Sequence, residues 1–404
     1  MSTPDDSPAL FGLDNLPYGL FSTADSPGHR RVGVRYGDSV LDAGAAAAAL
    51  GSAHAELLAR PSLNPLMAEG RAVWRAVRAE LRGWLADGSA DPYLRPLSEA
   101  SLHLPFEVAD YVDFYASEHH ATNLGRLFRP DGAALLPNWK HLPVGYHGRS
   151  GTVVASGTPV VRPQGQRKAP SESAPTFGPT RRLDIETELG FVVGAGRERD
   201  GSGVALGDFS EHVFGVTLLN DWSARDIQGW EGQPLGPHLA KSFLTSVSPW
   251  ITPLEALDAA RVAPPARDEA LLPYLDDSAP GIEPGGLDLR ITVRLNGHVI
   301  AEPPFSAMYW TGAQMLAHMT VNGASLRTGD LYGSGTVSGP DRLTQSGCLQ
   351  ELTWGGAEPV VLADGKRTFL EDGDEVTLSA WAPGPSGTRL ALGAVTGRVT
   401  PSPS

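Results

Sequence analysis

The chain has 404 residues, 41% hydrophobic and 19% charged, the balance of a globular protein with a large core rather than a disordered one. Its formal net charge of -14 argues against a nucleic-acid binder, which needs a basic face. The sole cysteine, Cys348, excludes an intramolecular disulfide and a cysteine-based zinc site, and reads as a small buried apolar residue.

The 47 glycines and 34 prolines are dispersed, which favours short strands joined by many turns and a mainly β fold with some α. The N-terminus MSTPDDSPALFG lacks the basic and apolar regions of a signal peptide, and Ala43 to Leu50 is too short to span a bilayer. The expected location is cytoplasmic, with no membrane partner.

Residues 1 to about 30 read as loop, with LDNLPYGLFS apolar enough to pack on the body. RRVGVRYGDSVLDAG alternates like a hairpin turning at Tyr36-Gly37-Asp38. Ala45 to Leu85 reads as helical and ends in an amphipathic helix with Val73, Val77, Leu81 and Trp84 on one face. The connection DPYLRPLSEASLHLP closes this region near residue 105, which sets the expected domains at 1–105 and 106–404. Beyond it, GTVVASGTPVVRP, LDIETELGFVVG, VFGVTLLND, LDLRITVRLNGHVIAE and DEVTLSAWAP have strand content. Ala259 to Gly286 reads as a surface excursion and Ala313 to Val321 as a short helix.

Four acidic residues stand out: Asp113, Glu186, Glu188 and Asp221. Oxygen donors without a thiolate suit a hard cation such as Mg²⁺ or Ca²⁺. Glu186 and Glu188 alternate within a strand-like run, so both side chains share a face and repel unless a cation or proton lies between them. The competing reading is the solvated face of an edge strand. Asp221 precedes a helix start, where an N-cap competes with a site role. Asp113 lies among Tyr111, Phe114 and Tyr115, where a charge needs a metal or an arginine.

His119 and His120 are adjacent, so at most one faces a small site. Arg225, Gln228 and Lys241 are candidate donors to an anion, and Arg225 and Gln228 share a helix face. GSGT at 333–336 is a turn able to present Thr336 and backbone amides. Glu351, in an apolar run, needs a histidine or arginine partner.

These segments resemble the fumarylacetoacetase family through DFYASEHHATNLGRLFRP, LLPNWKHLPVGYHGRSGTVVASGTPVVRPQGQ, LDIETELGFVVG, LLNDWSARDIQGWEGQPLGPHLAKSF, LYGSGTVSGP and CLQELTWGG. LDNLPYGLFS and RRVGVRYGDSVLDAG look like that family's N-terminal domain. The resemblance implies an SH3-like N-terminal β-barrel, a mixed β-roll carrying the site, and a homodimer. It implies cleavage of a carbon–carbon bond in the diketo acid 4-fumarylacetoacetate. Asp113, Glu186, Glu188 and Asp221 then match the metal ligands, and Asp221, Lys241 and Thr245 match positions associated with magnesium, with Lys241 as a neighbour or carbonyl donor. His120 matches the catalytic base and Glu351 the acid that orients it. Arg225, Gln228 and Lys241 match stabilisers of the oxyanion and leaving group, while Tyr115, Arg129, Tyr146, Gln228 and Thr336 match substrate contacts. Two departures stand out: Gly232 replaces a tyrosine, and Leu244 replaces a glycine before Thr245. A lyase or decarboxylase, or an acylpyruvate hydrolase, on the same metal scaffold is the alternative.

Overall fold

The turn at Gly37-Asp38 joins the antiparallel strands Arg31–Tyr36 and Ser39–Asp42, with Tyr36 opposite Ser39. The computed structural model describes residues 7–169, 171–363 and 365–403. Part of the expected N-terminal loop is a strand, Tyr18–Thr23, which inserts beside Arg31–Tyr36 and buries Tyr18, Leu20 and Phe21. The other edge of Tyr18–Thr23 is divided between Ala100–His103 and Trp250–Pro253. The sheet therefore runs on into the rest of the chain, and no closed barrel is found among the described residues.

The helical stretch resolves into four helices, Ala43–Ala49, Ala55–Leu58, Asn64–Ala68 and Arg71–Ala86. Gly51 and Gly70 sit at positive φ (74° and 87°) where the chain turns between them. The last helix buries Trp74, Val77, Leu81 and Leu85 rather than Val73 and Trp84. The contacts of Trp74 set that rotation: its indole N–H donates to the Leu66 and Met67 carbonyls, and its ring forms an edge-to-face pair with Phe214. Arg78, buried on the same stripe, donates to the carbonyls of Asp14 and Asn15. Phe214 belongs to the strand Val213–Asp221, so the N-terminal core braces the strand that ends in Asp221.

That long strand is central in the sheet order Trp250–Pro253, Val213–Asp221, Thr187–Val193, Leu331–Gly333, Tyr111–Phe114, Gly145–His147. A second sheet orders His298–Ala301, Arg290–Leu295, Glu375–Pro383, Arg389–Thr400 and Val160-Val161. The main apolar core draws on both, including Leu189, Phe191, Leu218, Ile291, Leu378 and Leu392. The excursion at 259–286 is largely exposed and pinned at its neck by Arg261-Val262 pairing with Gly286-Leu287. The expected short helix is Gly312–Thr320, started by a Thr311/Gln314 capping box. The fold is thus strand-rich α/β, and the ends of adjacent strands bring the site together: Asp113 pairs with Gly333, and Asp221 lies opposite Thr245.

Candidate active site

Glu186 and Glu188 do not share one unbroken strand. Leu183-Asp184 pairs with Ser223-Ala224, Thr187–Val193 pairs with Val213–Asp221, and Glu186 sits at the break. There its N–H donates to the Asn220 side chain, and its carbonyl accepts from Asp221 N–H. Both glutamates are buried, which removes the solvated-face reading. Asp221 is no N-cap either, since the next helix begins at Arg225 with Ala224 as its cap.

Asp113, Glu186, Glu188 and Asp221 each bring one carboxylate oxygen to within 4.8 Å of the others. Asp113 has the Tyr146 hydroxyl as its side-chain hydrogen-bond neighbour, and among the described residues Glu188 Oε1 is buried without a hydrogen-bond partner. A carboxylate oxygen left so is costly, and a hard divalent cation is what an all-oxygen set of this kind fits. Room for it comes from Gly333, where a Cβ would lie 2.5 Å from Glu188 Oε2 and 3.6 Å from Asp113 Oδ1. Gly335, at φ 73°, aims its N–H at Glu188 Oε2 at 3.0 Å.

Burial drives the Asp113 and Glu188 carboxyls well above the ordinary range, and the neighbouring acids push them further. Burial likewise raises Asp221. Glu186 goes the other way: although burial raises it, Lys241 and Arg225 hold it below its usual value. The Lys241 ammonium bonds Glu186 Oε2 and Asp221 Oδ2 (2.7 Å for the latter) and stands 3.8 Å from Asp113. The cation near Asp113 is thus a lysine, not an arginine. Thr245 Oγ1 donates to Asp221 Oδ1 at 2.8 Å, a contact that survives Leu244 in place of glycine.

Arg225 donates Nε to Asp184 Oδ2 at 2.9 Å and Nη1 to Glu186 Oε1 at 2.6 Å and Gln228 Oε1 at 3.1 Å. Its Nη2 is buried without a partner among the described residues.

His120 lies on the helix Glu118–Phe128, whose Ser117 cap accepts the His120 backbone N–H. Its Nδ1 lies 2.6 Å from Glu351 Oε2. Glu351 also accepts from Asn123 at 2.9 Å, Ser338 at 2.8 Å and Cys348 at 3.1 Å. Burial alone would raise the Glu351 carboxyl, but His120, with the Asn123 and Cys348 donors, holds it below the ordinary range. Glu351 is therefore the ionised acceptor, Nδ1 carries the proton, and Nε2 is left as the basic nitrogen. His119 is only partly buried, one helical step away.

A cavity of about 600 Å³ collects Asp113, His120, Glu186, Arg225, Gln228 and Lys241. Tyr115, Tyr146 and Thr336 line it as well, and among the described residues the Thr336 hydroxyl is buried without a partner. Arg129 is exposed at the cavity wall, its Nη2 donating to the Ala134 carbonyl at 2.8 Å. Phe128, Leu136 and Leu235 are exposed apolar residues on the lining. Thr245 borders a neighbouring cavity of about 310 Å³ with Asp221 and Lys241.

Sequence reasoning missed four residues. Asp184 is fully buried and holds Arg225, although its place two residues before Glu186 extends the same alternation of acids. Asn123 and Ser338 gave no signal, because a polar residue in a loop or helix has many ordinary uses. Cys348 is buried as expected, yet its thiol donates to Glu351.

Residues 110–400 match the family model described as fumarylacetoacetate (FAA) hydrolase C-terminal, and residues 14–105 match fumarylacetoacetase N-terminal. The chain is 43% identical to fumarylacetoacetase of Caenorhabditis elegans over 420 residues, covering 100% of this chain and 99% of that one. It is 44% identical to the Homo sapiens protein of that name over 412 residues (97% and 96% covered). It is 42% identical to that of Arabidopsis thaliana over 419 residues (98% and 97%). In fold it is similar to fumarylacetoacetate hydrolase from Exiguobacterium antarcticum, with a TM-score of 0.57, 18% identity and 96% and 99% of the two chains covered. With both domains matched and full-length relatives above 40% identity, the chain belongs to the fumarylacetoacetase family.

Proposed function

We propose that the protein hydrolyses the carbon–carbon bond of 4-fumarylacetoacetate to fumarate and acetoacetate, the last step of tyrosine and phenylalanine breakdown. One observation carries the reading: His120, held by the buried Glu351, lines the same cavity as Asp113 and Glu186, two members of an all-oxygen carboxylate cage. Asp113, Glu186, Glu188 and Asp221 would hold Mg²⁺ or Ca²⁺, which when bound supplies Lewis-acid charge for the diketone oxygens. Lys241 and Thr245 hydrogen-bond Asp221 and hold it in place beside the ion.

His120 Nε2 takes a proton from water as the water oxygen bonds the fumaroyl carbonyl carbon. The carbonyl electron pair moves to oxygen. When it returns, the bond to the methylene carbon breaks, and the acetoacetate carbanion takes the proton back from the imidazolium. Such general-base help is worth about 10²–10⁴ in rate. Arg225 Nη2, the buried N–H left unpartnered, suits the developing oxyanion, with Gln228 and Lys241 beside it. A donor of this kind is worth roughly 3 kcal/mol. Arg129 suits a terminal carboxylate, and the Tyr115, Tyr146 and Thr336 hydroxyls suit the substrate's oxygens.

We read the chain as an N-terminal domain over 1–105, of the small β-barrel family type, and a catalytic β-roll over 106–404. It acts as a cytoplasmic homodimer on a small diketo acid, with neither nucleic acid nor membrane as a partner. Among the described residues no helix is long and apolar enough to cross a membrane.

The test is His120→Asn with 4-fumarylacetoacetate. The hydrolase reading expects kcat to fall by about 10²–10⁴. A decarboxylase or other lyase on the same cage needs no water-activating base, and unchanged turnover would favour it.

A further inference from the structure

The carboxylate of Asp184 accepts four hydrogen bonds inside the protein, and they come from three different parts of the site. Oδ1 receives the N–H groups of Ile185 at 2.8 Å and Leu349 at 2.7 Å. Oδ2 receives Gln350 N–H at 2.9 Å and Arg225 Nε at 2.9 Å. Asp184 has no exposed surface and does not line the cavity. Leu349 and Gln350 open the four-residue helix whose next residue is Glu351. The first N–H groups of a helix have no partner within it, so Asp184 fixes where this short helix begins. Through Nε the same carboxylate sets the plane of the Arg225 guanidinium, and with it the direction of the unpartnered Nη2.

We infer that Asp184 is a positioning residue that locks the His120–Glu351 pair and Arg225 into one rigid arrangement. The inference rests on the hydrolase reading above. Asparagine nearly matches the shape of aspartate but not its acceptor capacity. Its NH₂ must face either Arg225 Nε–H and Gln350 N–H, or Leu349 and Ile185 N–H, and a donor cannot accept from a donor. The helix carrying Glu351 or the guanidinium must then shift, and misplacing a reacting group by about 1 Å costs up to roughly 10²-fold in rate.

The test pairs kinetics with the far-downfield proton NMR signal of the short His120 Nδ1–H···Glu351 bond, identified by its loss in His120→Asn. Folded Asp184→Asn, checked by thermal melting, is expected to lose about 10–100-fold in kcat with KM changed less than about threefold. Its downfield proton shifts or broadens, although Asp184 touches neither the ring nor the Glu351 carboxylate. Arg225→Lys lowers kcat but leaves that proton in place, because the contacts of Asp184 with Leu349 and Gln350 remain. An unchanged proton in folded Asp184→Asn overturns the inference, whatever happens to kcat, as does a shifted proton with wild-type kcat. If Asp184→Asn does not fold, Leu349→Pro removes one of the four donors. Cys348 is extended (φ −143°, ψ 155°) and 349 is the first helical position, where proline is tolerated. The proton must move there too, and an unmoved proton overturns the inference. If wild-type protein leaves 4-fumarylacetoacetate unchanged, the hydrolase reading fails, and the NMR signal alone then decides the coupling.

Discussion

His120 Nδ1 and Glu351 Oε2 meet at 2.6 Å across 231 positions of chain, and both side chains are buried. The contact fixes one tautomer of the imidazole and leaves Nε2 as the nitrogen able to take a proton. Three further donors converge on the Glu351 carboxylate, so its orientation is set independently of the histidine it serves.

Glu351→Gln tests that arrangement. An amide in this place can turn its NH₂ toward Nδ1 and select the wrong tautomer, so kcat should fall by about 10²–10⁴. KM should change little, because Glu351 does not line the cavity. Steady-state kinetics on 4-fumarylacetoacetate decide it, and a variant within threefold of wild type would remove Glu351 from the mechanism.

The same residue gives a pH prediction. Against the effect of burial, the His120 ring and the donors around it hold the folded-state carboxyl of Glu351 below the ordinary glutamate value of 4.5. Its stabilising contribution is therefore fully present above that value and is lost as pH falls through the lowered folded-state value. Denaturant unfolding of wild type and Glu351→Gln should show the largest gap near neutral pH and a narrowing gap below pH 4.5. A gap that widens on acidification would give the opposite sign.

Some of this was legible in the sequence because the signals are local. Glu186 and Glu188 alternate, Gly37-Asp38 marks a hairpin, and the segments around His120 and Glu351 carry the family's motifs. What stayed hidden depends on partners far away in the chain. The buried face of Arg71–Ala86 is turned by Trp74 meeting Phe214, which periodicity alone does not reveal. The continuation of the N-terminal sheet into the rest of the chain follows from Tyr18–Thr23 pairing with Trp250–Pro253. Asp184, Asn123 and Ser338 show their roles only once Arg225 and Glu351 are placed beside them.

Cation binding should stabilise the fold. Buried acids with unpartnered oxygens are costly without a counter-charge, so Mg²⁺ or Ca²⁺ at 100 times its Kd should add about 2.7 kcal/mol. Glu188→Gln should weaken binding in isothermal titration calorimetry and reduce the rise in Tm. Equal Tm with chelator and with cation would contradict the cage.

Gly333→Ala probes the space beside it. The added methyl would lie 2.5 Å from Glu188 Oε2, so that carboxylate must move. The variant should fold and bind divalent cation more weakly than wild type in the same calorimetric titration. Unaltered affinity would mean that Glu188 is not held where the cage requires it.

The central claim is metal-assisted hydrolysis of a diketone. The direct measurement follows the loss of 4-fumarylacetoacetate's diketone absorbance with purified protein before chelation, after it, and after adding back Mg²⁺ or Ca²⁺, with the products identified. The account predicts fumarate and acetoacetate in equal amounts, loss of turnover on chelation and recovery with the cation. Turnover that survives complete chelation, or no turnover with either cation present, would contradict it.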